Sequence, residues 1–285
     1  MLNRFLIQLV GILFACAGRL VLPLPISSGY VAAEHATLEL VSEQDAIVPG
    51  QKTWIGVRFD LQDGWHTYWV NPGDSGESPR IEWQLPAGFQ AGPIQWPYPA
   101  RLSSPPLVDY GYEHQVLLMA AVQLPWQPKE GKIETIGARV HYLVCREVCI
   151  PGEEQLGLSL PVRSSAARSR SGQLFETTRR RVPQPAPSNW RISVASVANE
   201  FVLNLRAATS LEPVQFFPLH EEQIENAALQ RTSPIPGGIR LHLEKSKHLL
   251  KPISRLQGVL VVGSAKAYLV DIPVSNHSGQ FSRGQ

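Results

Sequence analysis

Cysteine is almost missing from this 285-residue chain. There are three, and with Cys16 inside an N-terminal apolar segment only Cys145 and Cys149 remain. Methionine is scarcer, with Met1 and Met119 alone, which argues against a methionine-rich site for a soft metal ion. No later apolar run approaches the roughly 20 residues of a spanning helix; Val259-Leu260-Val261-Val262 is far too short. Charge of one sign is lacking too, with 26 Lys and Arg against 24 Asp and Glu, so nothing points to a nucleic-acid partner. No serine has a plausible histidine and acid partner in sequence, which leaves no catalytic triad. The residues call for no cofactor.

What is present begins with a leader pattern. Residues 1–33 carry Arg4, an apolar stretch from Phe5 to Ala15, and Val31-Ala32-Ala33 with small residues where a signal peptidase needs them. Arg19, Pro23 and Pro25 interrupt the apolar run before it is long enough to be an anchor. Lipidation of Cys16 is the lesser alternative, because Phe14 is bulky for such a site. Losing Arg4 and Arg19 with the leader takes the formal charge from +2 to zero. Export places the rest in an oxidising compartment, where a lone cysteine pair becomes a disulfide unless something reduces it.

Between residues 34 and 162 short alternating runs are punctuated by Pro and Gly: Ala36 to Val41, Lys52 to Phe59, Val116 to Val122, Gly137 to Val144 and Gln155 to Leu160. Such runs suit half-buried strands, and many short strands without helical periodicity indicate an antiparallel sandwich. Residues 163–188, with six arginines and the run Pro183-Gln184-Pro185-Ala186-Pro187, read as a linker holding one or two helical turns from Gln173 to Arg181. Its charges read as a solvated run rather than a docking patch. Alternation resumes over 189–275 in a second, smaller β-domain with a support or recognition role, followed by a frayed tail, 276–285. The fold expected is all-β, two sandwich domains joined by an Arg/Pro-rich linker.

Cys145 and Cys149, four residues apart after a strand-like run, admit three readings. A structural staple is geometrically possible, but so small a loop removes little entropy from the unfolded chain. A metal site would use His141, Cys145 and Cys149, with the turn left to bring Cys149 round. A redox pair would use the short loop to keep a resolving thiol close. Arg146 favours a thiolate and Glu147 opposes it. In a strand through Trp65-His66-Thr67-Tyr68-Trp69 the tryptophans share one face with Thr67 and read as core, while His66 and Tyr68 share the other and face the thiols. Asn71 to Gly76 is turn chemistry that shapes a groove.

Four blocks in order, Asp63 to Gly76, Ile94 to Pro99, Asp109 to Glu113 and Tyr142 to Pro151, resemble the N-terminal periplasmic region of DsbD-type thiol:disulfide interchange proteins, nearest the suppressor of copper sensitivity protein B branch. The resemblance covers the first half of the mature chain and, more weakly, the second domain. It implies an immunoglobulin-like, periplasmic domain in which Cys145 and Cys149 relay electrons, Cys149 forming the mixed disulfide. It further implies a cap loop over the pair at Leu107 to Tyr112, with Tyr110, Tyr112 and Asp109 as shield and nearby acid. The implied partners are a membrane-embedded or thioredoxin-like donor on a separate chain and a periplasmic oxidoreductase acceptor. The alternatives are a copper-handling module and a noncatalytic interaction domain with a structural disulfide.

Overall fold

The computed structural model describes residues 27–123, 131–207, 213–263 and 266–276. The first domain is built from β1 (Ser27–Ser28), β2 (Tyr30–Ala33), β3 (Ala36–Ser42), β4 (Lys52–Leu61), β5 (His66–Gly73), β6 (Arg80–Gln84), β7 (Gln90–Ala91), β8 (Ala100–Ser104), β9 (Leu107–Glu113), β10 (Gln115–Gln123), β11 (Ile133–Cys145) and β12 (Cys149–Pro161). After α1 (Gly172–Arg181) come β13 (Gln184–Pro185), β14 (Arg191–Val197), β15 (Glu200–Arg206), β16 (Val214–Pro218), β17 (Arg231–Ile235), β18 (Gly238–Glu244), β19 (Arg255–Val262) and β20 (Lys266–Asn276). No helix among the described residues is long and apolar enough to cross a membrane.

Two sheets enclose the first core. One runs β1-β12-β11-β5-β9-β8, with β6 also on β11, and the other β2-β3-β4-β10-β7. Alternation puts Leu38, Leu40, Val57, Phe59, Val116 and Leu118 inward against Ile136, Ala138, Val140 and Val144 of the facing sheet. This is the all-β, immunoglobulin-like sandwich expected. Of the leader segment, residues 1–26, Cys16 included, lie outside the described residues. Its last part forms β1 and β2, and β2 pairs with β3 from Tyr30↔Glu39 to Ala33↔Ala36, so a chain beginning at residue 34 would lack both strands. The tail beyond Asn276 also lies outside the described residues.

The Arg/Pro segment is docked rather than extended. Val41, Leu117 and Met119 point out of the second sheet and are covered by Phe175 of α1, which is fully buried. Its arginines find acids on that sheet: Arg170 reaches Glu39 at 2.6 Å, and Arg179 reaches Glu43 at 2.9 Å while lying over the Trp54 ring. The strand β10 is apolar on both faces because both are covered.

The second domain forms one sheet, β16-β19-β20-β14-β15-β18-β17, with β13 also on β20, and has its own core. Neighbouring phenylalanines on β16 diverge. Phe216 enters that core, whereas Phe217 packs edge-on against Trp69 and Tyr110 of the first domain at 6.3 and 5.3 Å between ring centroids. Val259 and Ala267 join Phe217 in the first domain's cluster, so the two domains share a continuous apolar seam.

Candidate functional site

The cysteines close the hairpin of β11 and β12 as directly opposed residues, Cys145↔Cys149, with Arg146, Glu147 and Val148 forming the turn. Strand pairing brings their α-carbons to 4.1 Å, and they form a disulfide. The two sulfurs differ sharply in surroundings. Cys145 is buried at 2 % exposure, beside β5 through its register partner His66, whereas Cys149 is exposed at the hairpin tip with Arg146, Glu147 and Val148. Arg146 and Glu147 lie 4.0 Å apart on this exposed tip, a separation that carries little energy in water.

Tyr68 is the aromatic against the pair. Its ring is fully buried, and its hydroxyl lies 3.5 Å from Cys149 Sγ; in the disulfide the sulfur carries no proton, so the phenol is the donor. Burial first, and the nearby Asp109 carboxylate second, push its pKa above the ordinary 10, so it keeps that proton at neutral pH. His66, one pleat along on the same face, meets Tyr68 edge-on at 5.2 Å.

Asp109 of β9 completes the cluster. It accepts from the Ser75 amide at 2.9 Å and from Ser75 Oγ at 3.0 Å, and its Oδ2 lies 4.0 Å from His66 Nε2. Burial raises its pKa; the Ser75 donors and then His66 oppose that, and Asp74 adds to it. His66 is lowered by burial, against the pull of Asp109 and Glu113, and its Nε2 is buried without a hydrogen-bond partner among the described residues.

These shifts set a pH dependence. Unfolded, the His66 imidazole takes a proton near its ordinary 6.5; folded, it does so only at lower pH. The stability attached to the neutral ring is therefore complete above about pH 6.5 and is lost as pH falls towards the lowered value. Asp109 acts in the opposite sense. Its folded carboxyl holds a proton that the unfolded one has released, so its burial costs stability at higher pH and that cost fades on acidification. A His66→Asn variant is expected to flatten the loss of denaturant midpoint between about pH 7 and 5. An unchanged slope would show that His66 is not held neutral.

The structure brings Cys145, Cys149, His66, Tyr68 and Asp109 together, but it corrects the cap. Leu107 to Tyr112 is strand β9, paired with β5 and β8, not a loop over the thiols. Alternation turns Tyr110 and Tyr112 into the core, at 0 % and 2 % exposure, where their hydroxyls donate to Asn226 Oδ1 and to the Pro97 carbonyl. Neither tyrosine touches the pair. His141 is also apart from it: four residues up an extended strand is about 13 Å, and the ring lies between Glu82 and Glu153 at 3.7 and 3.5 Å. The metal set His141, Cys145 and Cys149 is therefore not assembled, and no group of three or more His, Cys, Asp or Glu among the described residues is placed to hold a metal ion.

Two participants escaped the sequence reading. Ser75 carries the donors to Asp109, and Gly76 lies on the Tyr68 ring, where an added β-carbon would sit 2.1 Å from Cζ. With φ +81°, Gly76 also occupies the left-handed region that glycine tolerates. Only the turn chemistry of Asn71 to Gly76 hinted at this loop.

Residues 37–161 match the sequence model of a family described as "Thiol:disulfide interchange protein DsbD, N-terminal". No curated protein matches the chain. Among solved structures, the N-terminal periplasmic domain of ScsB from Proteus mirabilis superposes with a TM-score of 0.65 at 14 % identity, covering 87 % of this chain and 98 % of that one. Two further matches superpose poorly. Domains 5-6 of the S-layer protein SbsC give a TM-score of 0.23 at 11 % identity, over 88 % of this chain and 100 % of that one. A protein of unknown function from Porphyromonas gingivalis W83 gives 0.26 at 10 % identity, over 85 % and 99 %.

Proposed function

With residues 37–161 a DsbD-type N-terminal domain, we propose that this chain is a periplasmic thiol:disulfide interchange module working through Cys145 and Cys149. The observation that carries the reading is the asymmetry of the pair, an exposed Cys149 bonded to a Cys145 at 2 % exposure. A donor thiolate attacks Cys149 Sγ, the Cys145 thiolate leaves, and a second donor thiol resolves the mixed disulfide, delivering two electrons. Cys149 thiolate then attacks an acceptor disulfide, and Cys145 attacks Cys149 Sγ to release the acceptor as a dithiol and restore the bridge.

The short hairpin serves this cycle because strand pairing keeps the resolving thiol opposite its partner throughout. Tyr68 donates to Cys149 and steadies the thiolate as it forms. Asp109 and His66, buried beside the phenol, hold it in place and keep the surroundings dry. The donor is a thioredoxin-like or membrane-embedded domain, and the acceptor a periplasmic oxidoreductase; exposed Val148 at the hairpin tip offers each an apolar contact.

Equilibration of the full chain against dithiothreitol buffers of set potential tests the reading. A potential above about −300 mV is expected, since bridges below that resist reduction by thiol pools and are structural. A lower value would overturn the relay.

A further inference from the structure

The second domain has had no part in the chemistry so far, yet one of its side chains is tied to the loop that seats Tyr68. Asn226 is buried, at 8 % exposure, and both polar atoms of its side chain bond to the first domain. Its Oδ1 accepts from the Tyr110 hydroxyl at 2.8 Å, its Nδ2 donates to Asp74 Oδ1 at 2.8 Å, and its carbonyl accepts from Arg101 Nη2. The Asp74 carboxylate only accepts, which fixes which way the amide faces and leaves Oδ1 to take the Tyr110 proton.

Asp74 begins the loop over the site. Its Oδ2 accepts from the Val108 amide at 2.8 Å and its own amide donates to Val108 O at 3.1 Å, which pins it to β9. The next residue, Ser75, donates to Asp109, and the one after, Gly76, lies on the carbon of Tyr68 that bears the hydroxyl. Tyr68 in turn reaches Cys149. A continuous run of contacts thus leads from the second domain to the exposed sulfur, every link within hydrogen-bond or van der Waals distance.

We propose that Asn226 is a positioning residue for the thiol pair: by holding Asp74 it keeps loop 74–76 pressed on Tyr68 and so keeps the phenol in reach of Cys149. The second domain is then part of the redox unit and not only a support. Removing the Asn226 donor leaves the loop its bonds to Val108 and Asp109, so the effect is a weakening of the Tyr68 contact rather than its loss. The inference rests on Tyr68 being the donor to Cys149. It does not require the relay itself.

The test is the pH profile of Cys149 alkylation by iodoacetamide in the reduced full chain. Iodoacetamide transfers its carbamoylmethyl group to the thiolate and releases iodide, and so reports thiolate directly. Asn226→Ala and Asn226→Asp are compared with wild type, with Tyr68→Phe and with Phe217→Leu. The Asp variant keeps the size and the acceptor for Tyr110 but cannot donate to Asp74 once ionised. Besides Tyr68, the charged or titratable groups near the thiol are the Cys145 thiol directly opposite, His66, Asp109, Glu113, Arg146 and Glu147, none of which these variants alter.

Both Asn226 variants are expected to move the profile to higher pH, slowing alkylation at neutral pH about twofold, less than the roughly threefold net loss expected of Tyr68→Phe. Phe217→Leu, which loosens the seam at the Tyr110 and Trp69 rings but keeps the Asn226 donor to Asp74, should leave the profile in place. Profiles unmoved in both Asn226 variants while Tyr68→Phe shifts would overturn the inference alone. Profiles unmoved in all of them would overturn the role of Tyr68 as well. An equal shift in Phe217→Leu would assign the effect to docking in general and also overturn the role of Asn226.

Discussion

A Cys145→Ser variant is expected to accumulate a mixed disulfide through Cys149 with its redox partner, and a Cys149→Ser variant is expected to accumulate none. The asymmetry follows from burial. Cys149 stands exposed on the hairpin tip, where a partner's disulfide can approach in line, whereas Cys145 is 2 % exposed and flanked by β5. Removing Cys145 removes the thiol that releases the partner, so the intermediate persists; removing Cys149 removes the sulfur that can be reached. Either change should abolish turnover, a loss on the order of a thousandfold or more against catalysed exchange, since only slow solvent thiols remain to resolve the intermediate. Non-reducing gels of periplasmic extracts expressing each variant, with the trapped band identified by mass, check this. Equal trapping by the two variants would contradict the assignment of Cys149 as the attacking thiol.

Much of this arrangement was legible in the chain. Alternation in Ala36 to Val41, Val116 to Val122 and Gly137 to Val144 marks strands that the structure extends by a few residues at their ends. The parity of Trp65-His66-Thr67-Tyr68-Trp69 put Tyr68 on the thiol face and Trp69 in the core, as found. What escaped depends on residues far away in sequence. Tyr110 and Tyr112 could be taken for a surface cap because nothing local says that Phe217 and Asn226 will close over one of them. The arginines of 163–188 looked solvated because their partners, Glu39 and Glu43, lie on β3 and just beyond it. Once both acids are placed on the sheet opposite Phe175, the same segment becomes a strap. The irregular register of β5 between Tyr68 and Gly73, which lets loop 74–76 fold back onto the Tyr68 ring, has no signature stronger than a few turn residues.

Tyr68→Phe separates the chemical from the structural role of this ring. The phenyl ring still fills the buried space against Gly76 and His66, and the oxidised protein loses a 3.5 Å contact to sulfur and the hydroxyl's interaction with Ser75, so its thermal stability should change little. The reduced protein loses a donor to a thiolate. A hydrogen bond to a charged group contributes about 1.5 kcal/mol or more, which raises the Cys149 pKa by about one unit and cuts the thiolate fraction at neutral pH roughly tenfold. The rate of attack falls less than that, because a more basic thiolate is a better nucleophile; with a Brønsted slope near 0.5 the net loss is about threefold. The equilibrium carries no such compensation. At a pH where the wild-type thiol is ionised, destabilising the reduced state by about 1.4 kcal/mol lowers the two-electron potential by about 30 mV. Alkylation of Cys149 across pH and equilibration with dithiothreitol read these two effects independently. A profile shifted up with a potential shifted down is the result expected of a hydrogen bond to the thiolate. Tyr68 would be no more than packing if both stay where they are in the wild type.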